Sequence, residues 1–395
     1  MFYKTKQSLD QLVQNGSTPG ISYQIKTNFL EENNIMGLKS VFPEAEILPR
    51  TTENIYDIAS LTKVIATTTR ILQLIEQQSF QLNDPIQMYL PDFRYNNVTI
   101  LHLLTHSSGL AQNIPNFSMN APEDVMRYVY ATPQINTPGT LVTYADANFL
   151  LLGYLINRID GNYEAAIQNN ILEPLSMTNT SFHPTNKKQV IPTELDQTRG
   201  LIQGNVHDFK AWTAKSGTGH AGLFSTLSDL SKFRDALMLQ HGAPILSEKP
   251  WHLMQLNHTP GLNRSRGLGW DLRGESVLYH TGFTGTFMVL DLKRQASLIV
   301  LSNRVHPSRA NPNFVDKRDS IVDTFLEEVS KKKESLAHSL GFFFSQLSPC
   351  LISTKTVLTQ PLKAFSSYIK EIYFLSDFIL FSFSQRSMLF NEERF

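Results

Sequence analysis

The chain is strand-like at both ends and helical between them, and that order limits the folds open to it. Gly20–Thr27 (GISYQIKT) and Asn54–Ala59 (NIYDIA) read as strands near the start. Near the other end, Gly285–Leu292 (GTFMVLDL) and Ala296–Asn303 (ASLIVLSN) flank the polar Lys293-Arg294-Gln295, the pattern of a hairpin. In between, Leu61–Gln77 carries Val64, Ile65, Leu72, Leu74 and Ile75 at spacings that share one broad helical face. The β-branched run Thr67–Thr69 lowers helix propensity there, so burial must hold that helix. Thr99–Leu110 reads as a short apolar helix stopped by Gly109, and Tyr144–Gly161 as a longer one stopped by Gly161. Arg318–Lys333 is an amphipathic helix pattern. This order implies an α/β sandwich: one mostly antiparallel sheet built from both ends of the chain, flanked by helices, with a helical insert at roughly residues 75–215.

Residues 1–330 are expected to form one domain, and 331–395 an extension of unknown role, rich in Phe and Ser with poor periodicity. An interfacial membrane anchor is the alternative for that tail. It would need a cationic face opposite an apolar one, which the tail does not present. Lys and Arg balance Asp and Glu at 35 each, which argues against a nucleic-acid partner. The single cysteine, Cys350, rules out an internal disulfide and thiolate metal sites. The first residues, MFYKTKQSLDQLVQNG, lack the apolar core of a signal peptide, and no stretch is long enough to span a membrane. A cytoplasmic protein without metal or organic cofactor is the resulting expectation.

Ser60 stands between the strand-like and helical stretches, with Lys63 one turn further on. The Ser-x-x-Lys spacing also occurs at Ser330/Lys333 and Ser367/Lys370, but only Ser60 has a strand before it and an apolar-periodic helix after it. In a first helical turn a serine lies near backbone N–H groups that favour a developing oxyanion. Lys63 can reach its hydroxyl, and a partly buried lysine with a depressed pKa is a competent base. The plainer alternative is a helix cap followed by a solvated lysine, and this segment alone does not separate the two.

Five blocks in order separate them. Ser60-Leu61-Thr62-Lys63 resembles the first motif of the serine hydrolases related to class C β-lactamases and D-alanyl-D-alanine carboxypeptidases. Leu103–Leu110 (LLTHSSGL) and Gly219–Phe233 (GHAGLFSTLSDLSKF) resemble stretches of that family. Pro138–Gly153 (PGTLVTYADANFLLLG) resembles its second motif, and His280–Phe287 (HTGFTGTF) its third. The resemblance covers the chain to about Val329 and implies a β-lactamase/transpeptidase-like fold with the active site in a groove beside the sheet.

It also implies roles. Ser60 would be the nucleophile, and Lys63 and Tyr144 would move protons. Either Tyr144 is the base while Lys63 keeps its charge, or the reverse. The family usually has asparagine two residues after the tyrosine; Asp146 replaces that donor with an acceptor. If it faces the site it should pair with Lys63 and repel anionic substrates. His280 stands where many β-lactamases have lysine, and a mostly neutral imidazole is a weaker anchor for a substrate carboxylate. Thr281 and Gly282 complete that motif, with Gly282 allowing close backbone approach. By resemblance the oxyanion hole would be the backbone N–H groups of Ser60 and Phe283.

Three other patterns point elsewhere and carry less. Gly217–Gly222 satisfies G-x-G-x-x-G but follows no apolar strand. His102 and His106 have metal-pair spacing without a glutamate between them; His106 is expected to bond backbone carbonyls at a helix end. His220 is expected either on the cleft rim or bracing a loop. No G-x-S-x-G elbow is present. The reading is therefore a serine hydrolase forming an acyl-enzyme on Ser60, acting on a small carboxylic ester. A D-alanyl-D-alanine carboxypeptidase, a penicillin-binding protein or a weak β-lactamase, acting on a D-aminoacyl substrate, is the alternative. A non-catalytic binding member of the same fold, favoured by Asp146, and a membrane-associated transacylase, favoured by the tail, are the others.

Overall fold

The computed structural model describes residues 1–239, 241–311 and 313–347. Seven antiparallel strands form one sheet, in the order 46–47, 30–40, 20–27, 296–302, 287–291, 277–281 and 271–272. The two ends of the chain meet at its centre: Ile21 pairs with Ser302 and Tyr23 with Val300. The expected hairpin is present, with Phe287–Asp291 against Ala296–Ser302.

Alternation along the central strands gives the sheet two buried faces. Tyr23, Ile25, Phe287, Val289, Leu298 and Val300 face a layer made by Leu9 and Leu12 of the Tyr3–Gln14 helix and by Phe314, Val322 and Phe325 of the Asn313–Leu347 helix. Leu278, Met288, Leu290, Ile299 and Leu301 face the larger core with the Thr69–Glu76, Asp146–Asp160 and Leu227–Leu239 helices. A strand covered on both sides reads as a continuous apolar run, which is why these strands stand out in the sequence.

Two strand expectations change. Leu30–Ser40 (LEENNIMGLKS) is a full strand that its polar sequence conceals; it is half exposed and held by its ladder with Gly20–Thr27. In Asn54–Ala59 only Tyr56–Asp57 pairs, with Phe224–Ser225, outside the large sheet. The Leu61–Gln77 helix is composite. Ala59–Leu61 form a 3₁₀ turn, Lys63–Thr68 a π turn and Thr69–Glu76 an α-helix. Residues 61–74 are all buried, so packing holds a stretch that the threonine run would not hold alone.

The second long helix, Asp146–Asp160, ends at Gly161 with a positive φ of 81°, the conformation that favours glycine. Its middle lies directly on the glycine-rich stretch at 217–222. A Cβ on Gly219 would lie 2.0 Å from the Phe149 carbonyl oxygen, and one on Gly153 would lie 2.7 Å from the Gly219 nitrogen. These glycines serve close backbone packing, which accounts for the G-x-G-x-x-G pattern without a nucleotide.

The chain divides into two units after Lys332, and the sheet belongs to the first. The expected extension at 331–395, with its membrane-anchor alternative, falls outside the described residues from 348 onward. Among the described residues no helix is long and apolar enough to cross a membrane.

Substitution Gly219→Ala should push the Asp146–Asp160 helix off its seat and destabilise the protein by about 1–3 kcal/mol, the cost of overpacking a tight contact. Urea unfolding measures it; an unchanged midpoint would contradict the packing.

Candidate active site

The nucleophile candidate sits on a strained turn. Ala59 adopts φ 47°, a left-handed conformation costly for a residue with a Cβ. Buried Asp57 holds that turn: one carboxylate oxygen accepts the Ala59 N–H at 2.8 Å and the other accepts the His207 N–H at 2.7 Å. Burial raises the Asp57 pKa, against the effect of these N–H groups. Thr284 and Thr286 hydroxyls bond the carbonyls of Asp57 and Ile58. Ser60 emerges half-buried, next to a fully buried Lys63.

All three ammonium hydrogens of Lys63 have acceptors: Ser60 Oγ at 2.9 Å, Asp146 Oδ1 at 3.0 Å and the His220 carbonyl at 3.1 Å. Burial by itself would lower its pKa, but the charge of Asp146 and the Tyr144 phenol override this and raise it. The expectation of a depressed lysine is thereby corrected: Lys63 holds its proton. Tyr144 precedes the helix that Asp146 begins, and its ring centroid lies 4.9 Å from Lys63 Nζ. The His106 ring packs against Tyr144, at 4.3 Å between centroids.

His106 is buried and lies at φ 56°. Its Nδ1 accepts the Ala145 N–H at 3.3 Å, so the expected bonding to carbonyls is corrected to acceptance from a backbone donor. Burial, reinforced by Arg266 and Lys63, keeps this imidazole neutral. His102 Nδ1 likewise accepts the Thr99 N–H. Those bonds occupy both Nδ1 atoms and give the i, i+4 pair a structural use.

Asp146 faces the site and pairs with Lys63 at 3.0 Å. Its second oxygen binds Lys210 Nζ at 3.0 Å, a partner that sequence reading missed. Burial would raise Asp146, yet Lys63, His220 and Lys210 hold it well below the usual carboxylate range. Asp208, beside Lys210, takes His220 Nε2 at 2.8 Å. His220 is thus buried and bracing, with its carbonyl on Lys63 and Nδ1 on the Thr218 hydroxyl at 3.0 Å. Asp146, Asp208 and His220 bring ligand atoms within 4.8 Å of one another. Lys63 and Lys210 already fill that anionic space with cationic nitrogen, so the set does not suit an added metal ion.

The third block lies on the Val277–Thr281 strand and the turn after it. His280 is buried, its Nδ1 3.0 Å from the Thr281 carbonyl, and burial followed by Arg266 and Lys63 lowers its pKa strongly. It lies between two strands, with Met288 opposite on one side, and so is not at a sheet edge. Gly282 is required by close approach: a Cβ there would lie 2.5 Å from the Ile58 carbonyl oxygen and 2.1 Å from Thr286 Oγ1. That approach carries the Phe283 peptide to the Ser60 turn. The Phe283 ring is 47% exposed and stacks on His207 at 5.5 Å.

A cavity of about 390 Å³ opens beside Tyr144, His280 and Thr281. Four guanidinium groups line it, from Arg264, Arg266, Arg273 and Arg318, against two carboxylates, Asp271 and Asp319. Arg266 is buried, donating to Asp271 at 3.3 Å and to the Gly269 carbonyl at 2.9 Å. Arg264, Arg266, Asp271 and Arg273 share one short segment, and Arg318 and Asp319 join them from a second that only the fold brings near.

This site, a serine–lysine pair with a tyrosine beside a sheet strand, defines a serine hydrolase. Residues 10–319 match the Beta-lactamase family profile, and the chain belongs to that family. A Salmonella agona protein provisionally named a D-alanyl-D-alanine carboxypeptidase is 28% identical over 66% of this chain and 72% of its own length. The octameric penicillin-binding protein homologue from Pyrococcus abyssi superposes with a TM-score of 0.64 at 24% identity, covering 81% of this chain and 76% of the other. EstCE1, a hydrolase with promiscuous acyltransferase activity, gives 0.63 at 19% identity, covering 80% and 97%. At these identities the two structures speak for the fold.

Substitution Asp57→Asn leaves one of two buried N–H groups facing an amide nitrogen. It should cost about 1–3 kcal/mol of stability and slow labelling of Ser60 by a fluorophosphonate about ten-fold or more through misplacement of the turn. An unchanged labelling rate would show that Asp57 does not position Ser60. The pH response of the Lys63–Asp146 pair has a defined sign. Asp146 is depressed from 3.8, so its contribution is present above that value and lost as pH falls through the lower folded pKa. Lys63 is raised from 10.5, so its contribution is lost only as pH rises through a higher value. The Tm difference between wild type and Asp146→Asn should be flat from about pH 5 to 9 and shrink in acid. A difference that changes across neutral pH would contradict the ionised pair.

Proposed function

We propose that this enzyme acylates Ser60 with a substrate whose leaving group carries a carboxylate, a D-aminoacyl amide or the corresponding ester. The observation that carries this reading is the arginine-lined cavity beside Tyr144, His280 and Thr281. Four cationic groups against two anionic ones leave net positive charge beside Tyr144 and His280, and a guanidinium fork suits a carboxylate. Neutral His280 is a weak anchor for that anion, and the arginines supply what it lacks. The provisional name of the Salmonella agona relative points the same way.

In the proposed mechanism Lys63 stays an ammonium and Tyr144 enters the reaction as a phenolate beside it, so the phenolate oxygen takes the Ser60 proton and becomes the phenol. Ser60 Oγ attacks the carbonyl carbon, and the backbone N–H groups of Ser60 and Phe283 hold the oxyanion. Tyr144 returns its proton to the leaving nitrogen or oxygen as the scissile bond breaks. Water, deprotonated along the same route, then releases the acyl group and restores Ser60. Asp146 would hold Lys63 charged. The neutral small-ester reading draws support from the exposed Phe283 ring, an apolar wall for an acyl chain, but does not account for the guanidinium cluster.

The test compares a D-alanyl depsipeptide bearing a free carboxylate with its methyl ester. The free acid should show the larger kcat/KM, by about ten-fold for one charge-assisted interaction. The acyl adduct should map to Ser60 and vanish in Ser60→Ala. Preference for the methyl ester would return the reading to a neutral esterase.

A further inference from the structure

We infer that Lys210 is the counter-charge that lets a carboxylate stand at position 146, and that it keeps the cleft open to anionic substrates. The inference rests on the hydrolase reading above and concerns a residue outside the family motifs. At position 146 the family's usual asparagine is neutral, whereas Asp146 adds a negative charge beside Lys63. One oxygen of Asp146 is neutralised by Lys63, which is committed to Ser60 and the His220 carbonyl as well. The other oxygen has Lys210 at 3.0 Å.

Lys210 is built into place. It lies on the Phe209–Ala214 helix, whose cap is Asp208, with Oδ1 accepting the Ala211 N–H at 2.9 Å. The Asp208 carboxylate also lies 3.9 Å from Lys210 Nζ, so the ammonium sits between two acids. Its side chain is 15% exposed, dry enough for its charge to act at short range. Without it, Asp208 would keep its bonds to His220 and the Ala211 N–H, but Asp146 would have Lys63 as its one lysine partner and carry an unbalanced charge next to Ser60. That unbalanced charge would offset part of the positive charge that the arginine-lined cavity offers an incoming substrate carboxylate. With it, the expected repulsion by Asp146 is cancelled on the enzyme side. Lys210 therefore acts through Asp146 as a positioning and charge-balancing residue.

The experiment is a double-substitution cycle in the full chain: wild type, Lys210→Met, Asp146→Asn and the double variant. KM and kcat are measured for the free-acid depsipeptide and for its methyl ester, and Tm for all four proteins. Lys210→Met should raise KM for the free acid about ten-fold while moving the methyl-ester KM far less. Adding Asp146→Asn should restore much of the free-acid KM, because the offending charge is removed. In Tm the two single losses should sum to more than the loss of the double variant. Equal KM losses for both substrates, or a double variant no better than Lys210→Met, would overturn the role in substrate selection. Additive Tm losses would overturn the pairing. A wild-type protein that turns over neither compound would instead defeat the hydrolase reading, and the Tm cycle would still decide the pairing.

Discussion

Complete burial of the Lys63 ammonium is the constraint around which the site is organised. An unpaired buried cation is prohibitively costly, so each of its three hydrogens needs an oxygen at hydrogen-bond distance. Here the oxygens come from Ser60 in the same turn, Asp146 at the start of a distant helix and the His220 carbonyl in the glycine-rich stretch. Satisfying one nitrogen thus fixes three segments relative to one another. Gly153 and Gly219 let two of those segments touch backbone to backbone.

That arrangement decides the chemistry open to each group. Lys63, with the Asp146 carboxylate beside it, is held in its charged form. His106 and His280, packed around Tyr144, are held neutral by burial beside Lys63 and Arg266. The cleft therefore separates its charges. Carboxylates and lysines alternate in a chain of ion pairs from Lys63 through Asp146 and Lys210 to Asp208, and guanidiniums gather in the cavity beside Tyr144 and His280.

The sheet contributes rigidity at one edge of this cleft. Its Val277–Thr281 strand is paired on both sides and carries the turn at Gly282 against Ile58 and Ala59. Asp57 clamps the same turn to His207, and Phe283 stacks on His207 in return. The strained conformation at Ala59 persists because the surrounding bonds over-determine it.

Much of this was legible in the amino-acid sequence. Apolar runs marked the central strands, because strands covered on both faces are apolar throughout. The meeting of the two chain ends followed from element order. Ser60, Lys63, Tyr144 and His280 were visible through the resemblance of five short blocks, taken in order, to one family; the Ser-x-x-Lys spacing alone did not separate a nucleophile from a helix cap. That Asp146 would pair with Lys63 followed in the sequence only on the condition that it faces the site, and its place two residues after Tyr144 left that condition open. Other features left no local trace. The Leu30–Ser40 strand is polar because it is half exposed, and its ladder rather than its composition holds it. The protonation of Lys63, the Lys210 bond to Asp146, the Asp57 clamp and the arginine cavity all depend on groups far apart in the chain. Electrostatic energy depends on distance in space, and only the tertiary structure sets those distances.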